Sequence, residues 1–88
     1  MTDTLHLEII TAGGAVVDTQ ATQVTLPLAD GEVGILPGHA PLLGALMCGV
    51  VRYTAAGTEH YCAVSPGTVN VAAGNVTVLA RTAELQKA

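Results

Sequence analysis

Cys62 follows His60 by two residues, a spacing that in an extended chain puts thiol and imidazole on one face and could make a thiolate pair or half of a metal site. The commoner role of Cys62-Ala63-Val64 is a core strand, because a free cysteine behaves as a small buried hydrophobe. His39, Met47, Cys48, His60 and Cys62 together contain the donor types of an electron-transfer copper centre. Their order is wrong for one: such centres draw Cys, His and Met from one late loop, and no His or Met follows Cys62. Zinc is no better supported. Ser65 is the only serine and lies between Val64 and Pro66, without the glycines of a nucleophile elbow. Asp30 and Glu32 read as solvated loop carboxylates that would recruit a hard cation only weakly. Gly13-Gly14 has no helix after it to receive a phosphate. No catalytic residue, cofactor or metal site is therefore expected.

The composition narrows the function classes further. Of 88 residues, 50% are hydrophobic and only 11% charged, against about 25% charged in ordinary globular domains, which describes a folded chain. Arg52, Arg81 and Lys87 are the only Lys or Arg against seven acidic residues, a net charge of -4. No basic patch can form, so nucleic acid is not an expected partner. A surface so poor in ionised groups suits a subunit partly covered by another protein. Two cysteines are too few for a disulfide framework, and MTDTLHLEII has neither the charged start nor the apolar run of a signal peptide, so an intracellular chain with reduced thiols is expected. Val33 to Val51 is a 19-residue window whose only ionisable side chains are His39 and Cys48. It has the length of a membrane span, but Pro37, Gly38, Pro41, Gly44 and Gly49 would break the helix a bilayer requires.

The elements that must carry these residues are strands. Leu5, Leu7 and Ile9 alternate with His6, Glu8 and Ile10, and the pattern returns at Val24 and Leu26 and at Val69 and Val71, which is the period of strands with one buried face. His6 is thereby placed outward. Turn dipeptides such as Asp30-Gly31, Ala56-Gly57, Pro66-Gly67 and Gly74-Asn75 separate the runs. Strands are expected near 5–10, 15–18, 21–27, 33–36, 42–47, 50–54, 58–64, 67–72 and 75–80. That many short strands fit an all-β, two-sheet sandwich. The domain is expected over 1–82, with 83–88 a short tail of helix-forming composition, too short to hold a helix alone.

The run Val24-Thr25-Leu26-Pro27-Leu28-Ala29-Asp30-Gly31-Glu32-Val33-Gly34-Ile35-Leu36-Pro37-Gly38-His39-Ala40-Pro41-Leu42-Leu43 resembles the epsilon subunits of F-type ATP synthases. The similarity continues in the opening Leu5 to Thr11, in Gly49 to Tyr53, in Ala63-Val64-Ser65-Pro66-Gly67 and in Asn75 to Ala80. It implies a ten-stranded sandwich and a non-catalytic place in the central stalk, bound to the gamma subunit and resting on the ring of c subunits. By the same resemblance Glu32, Gly34 and His39 would meet the c-ring, while Thr11, Gly44, Val50 and Ser65 would face gamma. Membrane association would come only through the complex, at the cytoplasmic face of a bacterial inner membrane or at a thylakoid or other energy-coupling membrane. Two features depart from the family. Met47-Cys48-Gly49 stands where a charged residue and Pro more often precede the Gly, and the C-terminal helical pair has no counterpart before Ala88. Neither a nucleotide site nor an extending inhibitory arm is expected without those helices.

The competing class is a small-ligand or metal-binding sandwich, which would need convergent polar groups in a cavity. A magnitude divides the two expected contacts. An exposed charge pair from Glu32 is worth about 0.2–1 kcal/mol, whereas several aliphatic side chains buried at ~25 cal/mol per Å² give several kcal/mol before association costs. Affinity is therefore expected from the gamma side.

Overall fold

Alternation of apolar and polar residues produces ten strands, and the computed structural model, which describes residues 3–86, contains no helix among them. They are β1 (Leu5–Thr11), β2 (Gly14–Ala21), β3 (Gln23–Leu28), β4 (Gly31–Ile35), β5 (Leu42–Leu46), β6 (Gly49–Ala55), β7 (Thr58–Val64), β8 (Gly67–Ala72), β9 (Asn75–Ala80) and β10 (Ala83–Gln86). The first nine match the expected strands within boundary shifts. The window from Val33 to Val51 becomes most of β4, a Pro-framed loop, β5, a turn and the start of β6, and no helix among the described residues is long and apolar enough to cross a membrane.

The strands form one hydrogen-bonded order, β10-β7-β6-β3-β5-β8-β9-β1-β2, with β4 on the other edge of β3. The sheet folds over where β3 meets β5, because their ladder is the single pair Leu28 and Leu46. Two bonds flank that corner, Ala29 N–H to the Ala45 carbonyl at 3.2 Å and Met47 N–H to the Pro27 carbonyl at 2.8 Å. One layer is then β4, β3, β6, β7 and β10; the other is β5, β8, β9, β1 and β2. Contacts of β2 with β6 and β10 bring the two ends of the sheet together, so the sandwich nearly closes as a barrel.

Between the layers lies an aliphatic core. Leu5, Leu7, Ile9, Val24, Leu26, Ile35, Leu46, Val51, Val69, Val71, Val76 and Val78 are all fully buried. The parallel pairing of β1 with β9 sets Leu7 beside Val76 and Ile9 beside Val78, so both strands send the same residues inward. No buried polar side chain interrupts this core among the described residues. Hairpin turns at Ala56-Gly57 and Ala73-Gly74 place alanine at φ 52° and glycine at φ 77° and 80°. This is the primed turn geometry that matches strand twist. Asn75, the second residue of the Gly74-Asn75 dipeptide, opens β9 at the expected start of the 75–80 strand.

The expected tail from residue 83 is a strand. Ala83 to Gln86 pair antiparallel with β7, Ala83 opposite Val64 and Leu85 opposite Cys62. The open edge of β7 offers a row of unpaired backbone groups that a four-residue segment can satisfy, and this outweighs helix-forming composition. The last part of that expected tail, Lys87 and Ala88, lies outside the described residues.

Candidate functional site

The layers present two outer faces of different chemistry. On the β4-β3-β6-β7 side the pairing sets Gly34, Thr25, Arg52 and Tyr61 in one row. Arg52 Nη2 donates to Glu32 Oε1 at 3.0 Å, reaching across β3, and Tyr61 donates to Glu59. That bond raises the Tyr61 phenol above its ordinary value. Val50 lies on this face as well, two residues before Arg52 and opposite Ala63.

On the β5-β8-β9-β1 side the pairing sets Ala45, Thr68, Leu79 and Ile10 in one row, with Leu43 two residues before Ala45. Leu43 is 82% exposed and Leu79 48% exposed. Two shallow depressions meet at Leu43, one running toward Pro41 and Asn70, the other toward Ala45 and Thr68. An exposed leucine alone is ordinary, but Leu43, Ala45, Leu79 and Ile10 make an apolar patch, interrupted by Thr68 and bordered by the polar row of Asn70, Thr77 and Glu8, that can pack against another protein.

The expected c-ring residues come from neighbouring stretches of chain. Glu32 and Gly34 are exposed on β4, and His39 stands in the loop that follows. A turn bond from His39 N–H to the Leu36 carbonyl at 3.0 Å shapes that loop, and the His39 Nδ1 contacts the Ala40 carbonyl at 2.6 Å, which makes Nδ1 the protonated nitrogen. The expected gamma residues are not gathered into one patch. Thr11 uses its hydroxyl to close the β1–β2 turn, accepting from Gly13 N–H and donating to the Gly14 carbonyl. A side chain at Gly44 would point inward, 3.4 Å from Leu28. Ser65 is tied to Thr82 three ways: its N–H and hydroxyl donate to the Thr82 carbonyl, and its Oγ accepts from the Thr82 N–H at 2.9 Å. Its visible task is to hold the β9–β10 connection. Leu43 and Leu79 are the outward residues that sequence reasoning missed. The signal was present in the alternation, because Leu42 and Leu46 claim the inner side of β5 and so turn Leu43 out.

The residues of the copper and thiolate readings have other partners. Cys62 is buried, and desolvation raises its thiol pKa, which disfavours a thiolate. His60 stacks on Tyr53 with ring centroids 5.2 Å apart. Cys48 is exposed in the β5–β6 turn.

His6 faces outward as expected, and its Nε2 lies 2.5 Å from Asp18 Oδ1 on β2. The hydrogen bond to Asp18 is the main cause of a His6 pKa above 6.5; desolvation opposes it, and the Asp18 and Glu8 charges add to it. Because the folded value exceeds the unfolded one, the pair's contribution to stability is full below about pH 6.5 and fades as pH rises through the folded value. Proton NMR should show the His6 imidazole titrating above 6.5, and Asp18→Asn should bring it down. An unchanged midpoint in Asp18→Asn would remove the assignment.

Sheet and core thus define an all-β sandwich. Residues 4–86 match the family model described as ATP synthase, Delta/Epsilon chain, beta-sandwich domain, and the chain belongs to that family. It is 44% identical over 84 residues to the ATP synthase epsilon chain of Desulfitobacterium hafniense, covering 96% of this chain and 64% of that protein. The epsilon chain of Solibacter usitatus is likewise 44% identical, with 96% of this chain and 63% of that protein covered. The chain therefore spans a little under two thirds of the length of these relatives. In fold it matches a chain of the Euglena gracilis mitochondrial ATP synthase solved with OSCP, F1 and c-ring, at TM-score 0.89 and 19% identity over 97% of this chain and 55% of that one. A chain of the Tetrahymena thermophila mitochondrial ATP synthase central stalk and c-ring matches at TM-score 0.75 and 12% identity, over 90% of this chain and 64% of that one.

Proposed function

We propose that this domain is a non-catalytic element of the rotor of a proton-translocating ATP synthase, held between the gamma subunit and the c-ring and turning with both. The observation that carries the reading is the family match over residues 4–86, joined to a patch of exposed apolar side chains around Leu43 and Leu79 on one layer and the Arg52–Glu32 ion pair on the other. Gamma docks on the apolar patch of Leu43, Ala45, Leu79 and Ile10, and β4 with its following loop, bearing Glu32, Gly34 and His39, meets the c-ring. Short turns and a nearly closed sheet give the stiffness that torque transmission needs. The domain sits peripherally at an energy-coupling membrane, on the cytoplasmic face in a bacterium, and reaches the membrane only through the complex. In this reading Val50 belongs to the charged face, and Thr11, Gly44 and Ser65 support the fold around the gamma surface.

Calorimetric titration of the domain into purified gamma, without nucleotide and at two salt concentrations, tests the proposal. Saturable one-to-one binding with a negative heat-capacity change and weak salt dependence is the expected result. No binding at micromolar concentration to folded gamma overturns it. Glu32→Gln should leave gamma affinity within about 0.5 kcal/mol, because it removes only an exposed charge already paired with Arg52. In reconstituted complexes the same variant should weaken salt-sensitive c-ring docking.

A further inference from the structure

The antiparallel ladder of β1 and β2 sets Glu8 directly opposite Asp18 and His6 opposite Gln20. All three ionisable side chains leave the sheet on the outer face, and His6, Glu8 and Asp18 each offer one ligand atom within 4.8 Å of the others. Two carboxylates facing each other across adjacent strands repel, and neither forms an ion pair with Lys or Arg among the described residues. The nearest cationic partner is His6 itself, which approaches Asp18 but leaves Glu8 without a direct bond. One imidazole and two carboxylates on a rigid strand pair is a donor set that suits a divalent transition ion.

We propose that His6, Glu8 and Asp18 form a surface site for a zinc-like divalent cation, which clips β1 to β2. His6 Nε2 gives the nitrogen ligand, one oxygen each comes from Glu8 and Asp18, and water completes the coordination. To admit the ion, the hydrogen bond between His6 and Asp18 opens from 2.5 Å, and Nε2 loses its proton to solvent. Binding releases a proton, as metal binding to an imidazole does in general. From β9, Asn75 pairs with His6 and Thr77 with Glu8, and neither titrates. The site lies away from Glu32 and His39 on β4 and its loop, but it borders the proposed gamma surface, because Leu43, Asn70, Thr77 and Glu8 share one outward row.

Isothermal titration of zinc chloride into the 88-residue chain at pH 7.5, in a buffer that does not chelate, reads the site directly. The expected result is one ion per chain. Loss of a ligand should weaken binding at least as much as loss of a group that supports a ligand, about 10–100-fold, in each of His6→Ala, Glu8→Gln and Asp18→Asn. Cys48→Ser and His39→Ala should bind as the parent does. Circular dichroism of each variant establishes that it is folded, which these positions outside the core allow. Cobalt as a second probe should give visible absorption bands that vanish in His6→Ala. Binding that survives His6→Ala and is lost in Cys48→Ser would overturn the assignment, as would the absence of saturable zinc binding by the folded parent chain.

Discussion

Gly67→Ala should cost this domain roughly 3–5 kcal/mol, a large part of the ~4–13 kcal/mol that a chain of this length holds. A Cβ at Gly67 would stand 1.8 Å from the Leu79 carbonyl oxygen, 2.8 Å from its carbon and 3.0 Å from Ala80 Cα. All three are backbone atoms of β9, so no side chain can swing aside, and β8 must separate from β9 where Gly67 pairs with Ala80. The separation would also disturb the bonds between Ser65 and Thr82 just beyond it, which hold the approach to β10. Thermal unfolding followed by circular dichroism should show a midpoint lowered by about 15–30 °C. The control is Gly34→Ala, where nothing lies within 4 Å of the added carbon and the backbone does not adopt a positive φ. That variant should melt within about 3 °C of the parent or slightly above it, since alanine restricts the unfolded chain. A Gly67→Ala protein as stable as Gly34→Ala would mean that β9 yields far more easily than its place in the core suggests.

Gly67 also shows where sequence reasoning reached and where it stopped. Pro66-Gly67 was legible as punctuation between strands, and that is where β8 begins. What the glycine is needed for was not legible. Its φ is not positive, and the requirement is the close approach of a strand whose nearest residues are 12 and 13 positions later. The strands with strict alternation were readable because one buried face dictates period two, whereas β10 was hidden in helix-forming composition until the edge of β7 supplied it with a partner. The rotor resemblance was carried by residues 24–43, a run irregular enough to be specific. The grouping of His6, Glu8 and Asp18 was beyond reach for a different reason. It depends on the β1–β2 register, which shifts between Ile9 and Ile10 where Val16 bulges out of the ladder.

Leu43→Asp should lower affinity for gamma by about 100-fold or more while leaving the free domain folded. The side chain is 82% exposed in the isolated domain, so the substitution removes nothing from the core. Docked against an apolar partner, Leu43 would lose most of that exposure, a gain of about 1.5–3 kcal/mol for a leucine. Aspartate forfeits the gain and brings a carboxylate that must be desolvated without a counter-ion, so a loss near 3 kcal/mol is a lower estimate. Val50→Asp supplies the comparison, because Val50 is also exposed, at 39%, but stands on the face that carries Arg52 and Glu32. There a new carboxylate remains in water close to Arg52 and should change gamma affinity by less than about 1 kcal/mol. The resemblance placed Val50 toward gamma, and the sheet places it on the opposite side from Leu43, so calorimetry on the two variants separates two orientations of the same sandwich. Loss in Leu43→Asp alone fixes the apolar face on gamma. Loss in Val50→Asp alone turns the domain over: the face of Arg52 and Glu32 then meets gamma, and the patch of Leu43, Ala45, Leu79 and Ile10 is left to a different neighbour in the stalk.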